Sequence, residues 1–194
     1  MSAFIERDFD FQGAVYFQDA FLMNVYSFTL TMEVNTDSIY EQNIAMDRIK
    51  YLVYEVFENC IFVHDEEKDI IKKYKDAGLK TCATPEEPYD QIISLLLMLK
   101  LDAVCEDRLK VINITFTSKL SDDVRFKESI LTAQNVYGEG GWYNDSTPNL
   151  TVDTKRPGKE KIVKIKHNEW KECGLIWKEK KENSTEIVFS VEDK

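Results

Sequence analysis

The feature that most constrains this fold is a run of ten residues, Ile92–Leu101, in which only Ser94 and Lys100 are polar. The run follows Thr84-Pro85-Glu86-Glu87, a typical helix start in which a threonine hydroxyl caps the helix and proline occupies its first position. We therefore predict a helix that begins at Pro85 and is apolar nearly all round, and such a helix must be covered on more than one side. One sheet face covers one side only, so a second layer or another subunit must supply the rest.

Two segments, residues 25–34 and 108–118, alternate between apolar and polar side chains, as half-buried strands do. Between them, Ser38 and Glu41 form a capping box, and apolar residues at helical spacing predict a helix over 38–59. The shorter predicted elements are a strand at 60–64, a helix at 65–77 and strands at 161–166, 175–178 and 186–191.

This order of elements predicts an α+β fold, with a mixed or antiparallel sheet, two to three helices packed on one face, and a β-rich C-terminal part. Residues 1–24 contain six aromatic side chains, too much apolar area to leave in water, so we expect this aromatic arm to dock on its own domain or a neighbour. We expect residues 25–136 to form the core domain, and residues 137–194 to form a C-terminal extension that contains a basic segment.

The basic segment, residues 155–181, carries ten Lys and Arg against four acids, although the whole chain has a net charge of −10. Lysines interleaved with tryptophans favour phosphates and stacked bases, or an acidic partner surface. The alternative is an ordinary solvated face of a β-rich tail. The candidate contact residues are Lys161, Lys164, Lys166, Trp170, Lys171 and Trp177.

A glycine-rich loop at residues 137–148 is the second candidate contact surface, because three glycines within four residues allow close backbone approach. The alternative is a sharp connection in which Trp142 is packed into the core. The candidate binding residues of this loop are Glu139, Trp142, Tyr143, Asn144 and Asp145.

The chain contains no phosphate-binding loop, GxGxxG, GxSxG or HExxH motif, and only two histidines. We predict no catalytic residues, no metal site and no cofactor. Four widely spaced cysteines without a CxxC pair indicate reduced thiols. The longest apolar run is too short to span a membrane, so we expect a soluble, cytoplasmic protein with no membrane partner.

Two resemblances accompany these patterns. The helix start and following strand of Thr84–Ser118 resemble the 6-pyruvoyl tetrahydropterin synthase type of fold, in which oligomeric sheets close a tunnel and an acid anchors a heterocycle. That family's histidine zinc ligands have no counterpart here. The segment Pro85-Glu-Glu-Pro-Tyr-Asp-Gln91 and the low glycine and proline content resemble small uncharacterised proteins of large tailed phages, which implies a phage origin and no particular activity.

We predict a non-enzymatic interaction or assembly protein that forms a homo-oligomer or binds a partner protein, because the apolar helix and the aromatic arm both need additional covering surface. A phage-encoded protein of this kind would be a virion component or an accessory protein in the host cytoplasm. One alternative is a nucleic-acid-binding accessory protein that uses residues 155–181. Another is a small enzyme or binder of a nucleotide- or pterin-like heterocycle.

Overall fold

A mixed sheet organises the fold. The computed structural model describes residues 3–150 and 169–177. Within these ranges the strands are β1 Ala3–Phe17, β2 Ala20–Val34, β3 Cys60–His64, β4 Thr81–Thr84, β5 Leu109–Ser118 and β6 Phe126–Ser129. They lie in the sheet in the order β4-β3-β1-β2-β5-β6. The helices are α1 Ile39–Tyr51, α2 Lys68–Asp76, α3 Asp90–Cys105 and α4 Ile130–Tyr137. The predicted α+β fold is confirmed.

Strands β1 and β2 form a long antiparallel hairpin at the centre of the sheet. Gln18 and Asp19 join the strands with positive φ at both positions, the geometry of a tight two-residue hairpin turn. The predicted aromatic arm is therefore part of the sheet itself, and the expected boundary at residue 24 falls inside β2. Phe9 and Phe11 of β1 are buried against Phe28 and Tyr26 of β2. We call the face that carries these rings the inner face.

Helices α1, α3 and α4 pack on the inner face, as the sequence indicates. Ser38 caps α1, because its hydroxyl accepts a hydrogen bond of 3.3 Å from the backbone N–H of Glu41. The helix then continues as a π-helical turn, Leu52–Phe57, so the predicted helix over 38–59 is confirmed with a local irregularity.

Strands β3 and β4 run parallel to β1, and α2 connects them on the opposite side of the sheet. Ala14, Ile61 and Val63 form a small second core there, and Ile70 and Tyr74 of α2 pack against it. We call this side the outer face. The core under α2 occupies one end of the outer face only.

The predicted start of the third helix is wrong. Thr84 is the last residue of β4 and is fully buried, and its hydroxyl lies 2.7 Å from the carbonyl oxygen of Glu86. Helix α3 begins at Asp90, after Tyr89. A second proline, Pro88, explains the difference, because the residue before a proline is disfavoured in the helical conformation. Residues 85–89 therefore form an irregular connection.

Every residue of α3 from Ile93 to Leu101 is buried, which confirms that this helix needs cover on all sides. The cover comes from the same chain: β5, α1, α4 and a short 3₁₀ turn, Trp142–Asn144, all contact α3. The apolar helix therefore provides no reason for a second subunit.

Of the predicted C-terminal extension, the structure describes residues 137–150 and 169–177, and residues 169–177 form turns and an irregular stretch. Residues 175–177 are not a strand, so that part of the predicted strand at 175–178 is wrong. The predicted strands at 161–166 and 186–191 lie outside the described residues.

Candidate functional site

The glycine-rich loop folds back onto the core. Trp142 and Tyr143 are buried, and the indole N–H of Trp142 donates a hydrogen bond of 2.8 Å to the carbonyl oxygen of Ala83. The side-chain amide of Asn144 donates to the carbonyl oxygens of Tyr137 and Gly140, at 2.8 and 2.6 Å. These bonds hold the loop against the helices, as in the alternative in which Trp142 packs into the core.

Lys100 of α3 holds the same loop in place through hydrogen bonds to its backbone. Its side chain is fully buried, and Nζ donates hydrogen bonds to the carbonyl oxygens of Trp142, at 2.9 Å, and Asp145, at 2.7 Å. Burial lowers the pKa of Lys100 to about 8, and the nearby Asp145 carboxylate opposes this shift. Among the predicted binding residues of the loop, Glu139 and Asn144 are exposed, Asp145 is half-buried, and Trp142 and Tyr143 are buried.

The candidate residues of the basic segment divide into two groups. Lys161, Lys164 and Lys166 lie outside the described residues. Lys171 is exposed, whereas Trp170 is buried and donates a hydrogen bond of 2.6 Å from its indole N–H to the carbonyl oxygen of Ser146. Nucleic-acid binding by this segment stays a prediction.

Arg48 of α1 anchors both indoles of the basic segment. Its guanidinium carbon lies 4.6 Å from the ring centroid of Trp170 and 3.9 Å from that of Trp177. The indole N–H of Trp177 also donates a hydrogen bond of 2.9 Å to Glu106, which forms an ion pair with Arg48. Both tryptophans thus attach residues 169–177 to the helical layer.

Within the part of the chain that the structure describes, the outer face of the central strands is not covered by another element. Successive side chains of a strand point to opposite faces, so residues between the buried apolar positions of β2 and β5 point outward. They carry hydroxyl and amide groups: Ser27, Thr29, Thr31, Asn113, Thr115 and Thr117. Strand β1 borders them on one side and β6 on the other.

Two open grooves cross this outer face. One, of about 290 Å³, extends from Asp8 of β1 across Thr29 and Thr115 to Arg125. The other, of about 430 Å³, lies beside Thr31, Asn113 and Lys127. The lining of both grooves is rich in hydroxyls, with charged groups at the sides, and this composition suits polar contacts with a macromolecule.

Acidic side chains occupy alternate positions of β1 on the outer face: Glu6, Asp8 and Asp10. Threonines of β2 hold two of them, since Thr29 donates a hydrogen bond of 2.6 Å to Asp8 and Thr31 one of 3.2 Å to Glu6. In residues 3–150 and 169–177, no basic group lies within 4.0 Å of these three carboxylates.

One backbone edge of β1 is also open. The strand pairs with β2 along its whole length, but with β3 only at Gly13–Tyr16. The N–H and carbonyl groups of Gln12 face the β3 side, where they bond to Glu58 and Asn59. Because backbone groups alternate in direction along a strand, those of Phe4, Glu6, Asp8 and Asp10 face the same way. Within the described residues, no strand pairs with them there.

Sequence reasoning missed this surface, although a signal for it existed. Acids at 6, 8 and 10 alternate with Phe9 and Phe11, which is the period of a strand with one polar face. The number of aromatic residues in this segment drew attention to burial instead of to alternation.

In the part of the chain that the structure describes, no helix has the length and apolar character needed to cross a bilayer. The same residues contain no group of three or more histidine, cysteine or acidic side chains arranged to hold a metal ion.

No protein-family model matches this sequence, and no curated protein matches it. A solved structure of similar shape is the uncharacterized protein WS1659 from Wolinella succinogenes, with a TM-score of 0.49 and 10% sequence identity. The similarity covers 66% of this chain and 98% of that one.

Proposed function

We propose that this chain is a non-enzymatic interaction and assembly protein that acts through the open side of its sheet. The observation that carries the proposal is the edge of β1 at residues 3–11, which no strand of residues 3–150 and 169–177 pairs with, next to an outer face that these residues leave uncovered. A phage origin, and a location in the host cytoplasm or the virion, belong to this proposal.

Open strand edges bind other strands, because their N–H and carbonyl groups supply a ready template of hydrogen bonds. In β1 the alternate carboxylates Glu6, Asp8 and Asp10 flank this template. Two β1 edges that paired with each other would bring like charges together, so self-pairing at the edge is disfavoured. The edge is suited to an extended segment of another protein, with basic side chains opposite the carboxylates.

Amide hydrogen exchange on the full chain, followed by NMR, tests the proposal. The amides of Glu6, Asp8 and Asp10 should exchange quickly, whereas those of Arg7 and Phe9, which face β2, should be protected. A synthetic peptide of alternating lysine and valine should protect the three fast amides. The same peptide with proline at its central position should not, because proline removes the donor that the edge needs.

Two results would contradict this function. In the first, the three amides are already protected in the free full chain, which means that the edge is occupied. In the second, the lysine–valine peptide binds without protecting them, which means that its attraction is only to the overall negative charge.

A further inference from the structure

The charges on the outer face are arranged in rows that run across the strands. The pairing register places Asp8 of β1 beside Thr29, Thr29 beside Thr115, and Thr115 beside Lys127 of β6. This row therefore has an acid at one end, hydroxyls in the middle and a base at the other end.

The adjacent row repeats this arrangement. Asp10 pairs with Ser27, and Ser27 with Thr117. Phe116 pairs with Phe126, so continuing the register places Arg125 next to Thr117. Arg125 and Thr117 also line the same groove. Two consecutive rows thus begin with an aspartate and end with a base.

These opposite charges do not neutralise each other within one copy. Three strand spacings separate β1 from β6, which is about 14 Å between the backbones. Neither Arg125 nor Lys127 has a carboxylate within 4.0 Å in the described residues. The rows therefore present unpaired charges of opposite sign at the two sides of one face.

Symmetry makes such a face complementary to itself. A two-fold axis parallel to the strands, placed between β2 and β5, lays the β1 side of one copy over the β6 side of the other. Asp8 then faces Lys127 of the second copy, and Asp10 faces Arg125 of the second copy. A two-fold axis across the strands would instead place aspartates over aspartates, so the charges select the first arrangement.

We propose that two copies of this chain associate face to face through the outer faces of β1, β2, β5 and β6, about a two-fold axis parallel to the strands. The proposal rests on the proposed assembly function and names a second copy as one partner. The open edge of β1 lies at the side of this sandwich and stays available in the dimer.

The expected area of the contact is small. About eight residues each from β1, β2 and β5 and the four residues of β6, at about 4.8 Å between strands and about 3.3 Å per residue, give a face of roughly 440 Å² per copy. The total of roughly 900 Å² is typical of a weak, transient interface. Because its centre consists of hydroxyls and its sides are charged, the dimer should be reversible and should weaken as salt screens the ion pairs.

Sedimentation velocity of the full chain tests the proposal through a charge exchange. Asp8→Lys alone and Lys127→Asp alone each place like charges opposite one another at both symmetric contacts, so each should weaken dimerisation at least about tenfold. The double variant, Asp8→Lys with Lys127→Asp, restores opposite charges and should recover wild-type association to within about threefold. Glu139→Lys is the matched control, because it makes the same charge change on an exposed loop away from this face.

A monomeric wild type at about 100 μM protein and about 50 mM salt would overturn the proposal. So would a wild-type dimer that both single variants leave intact, or single variants that the double variant does not rescue. Circular dichroism melting of each variant separates lost association from lost folding. If the lysine–valine peptide still protects the β1 amides in a purely monomeric protein, the interaction function stands and only the face-to-face dimer fails.

Discussion

The guanidinium carbon of Arg48 lies 3.9 Å from the centroid of the Trp177 indole ring, and this contact fastens the C-terminal segment to α1. Arg48 is 2% exposed and also donates hydrogen bonds to the carbonyl oxygens of Leu175, at 2.9 Å, and Val104, at 3.1 Å. One side chain thus joins α1, α3 and residues 169–177. Burial lowers the pKa of Arg48, and Glu106 counteracts this by stabilising the charged form.

Arg48→Met should lower the free energy of unfolding by about 2–4 kcal/mol, because two buried carbonyl groups lose their donor and both indoles lose a cation. Arg48→Lys should rescue little of this loss, since an ammonium group cannot reproduce the planar fork. Urea unfolding followed by tryptophan fluorescence measures both effects. Arg108→Met is the control: Arg108 also lies over Trp177, but it is about one third exposed and should cost less than about 1 kcal/mol. Equal losses for the two methionine variants would contradict the anchoring role of Arg48.

Lys100 should make stability depend on pH in the alkaline range. Its pKa in the folded protein is about 8, below its ordinary value of 10.5, so the unfolded chain binds more protons between these values. Folding is then favoured as the pH rises through this window, and the contribution of Lys100 is least favourable below pH 8. The difference in unfolding free energy between wild type and Lys100→Met should shift by about 1 kcal/mol in favour of wild type from pH 7 to pH 9. Urea midpoints at the two pH values give this difference, and a difference that does not change with pH would contradict the burial of a charged Lys100.

Alanine substitution should destabilise the protein to different degrees at two neighbouring glycines. Gly140 and Gly141 both have positive φ, so an alanine at either position costs about 1 kcal/mol in backbone strain. At Gly141 the new methyl group would also collide with the ring of Tyr143, whereas at Gly140 it would meet open space. Gly141→Ala should therefore lower the thermal midpoint more than Gly140→Ala. Identical midpoints would show that Tyr143 does not pack over this loop.

Substitutions at Thr84 and Ser38 should distinguish the role of a buried hydroxyl from that of a helix cap. Thr84→Val keeps the side-chain shape but removes the hydroxyl that contacts the carbonyl oxygens of Val63 and Glu86, and should cost about 1–2 kcal/mol. Ser38→Ala should cost about 1 kcal/mol through the loss of the α1 cap. The helical circular dichroism signal of folded Thr84→Val should equal that of wild type. A reduced helical signal in Thr84→Val would mean that Thr84 caps α3 after all.

Local patterns identified the elements whose burial is regular along the chain. The alternation over residues 25–34 and 108–118 predicts the greater part of β2 and β5, and the capping box at Ser38 predicts the start of α1. These predictions succeeded because a half-buried strand or helix shows its own period in the sequence, whatever it packs against. The apolar run in α3 likewise indicated complete burial correctly.

These patterns show that a residue is buried, but they do not identify the residues that pack against it. Lys100 interrupts an apolar run, and only its two carbonyl partners, more than forty positions later, explain why a charged residue is buried there. In the sequence, Trp170 and Trp177 are equally suited to stack on a nucleic acid or on Arg48, and only the tertiary fold places the Arg48 guanidinium over both rings.

The sequence by itself determined the greater part of β2 and β5, the start of α1 and the complete burial of the apolar run in α3, since these depend on the spacing of neighbouring apolar residues. Only the tertiary structure decided that Asp8, Thr29, Thr115 and Lys127 share one row. The physical reason is that pairing between strands distant in sequence sets the register, and a shift of one residue would move every one of these side chains to the other face. The open edge of β1 and the charge pattern of the outer face therefore arise from that register.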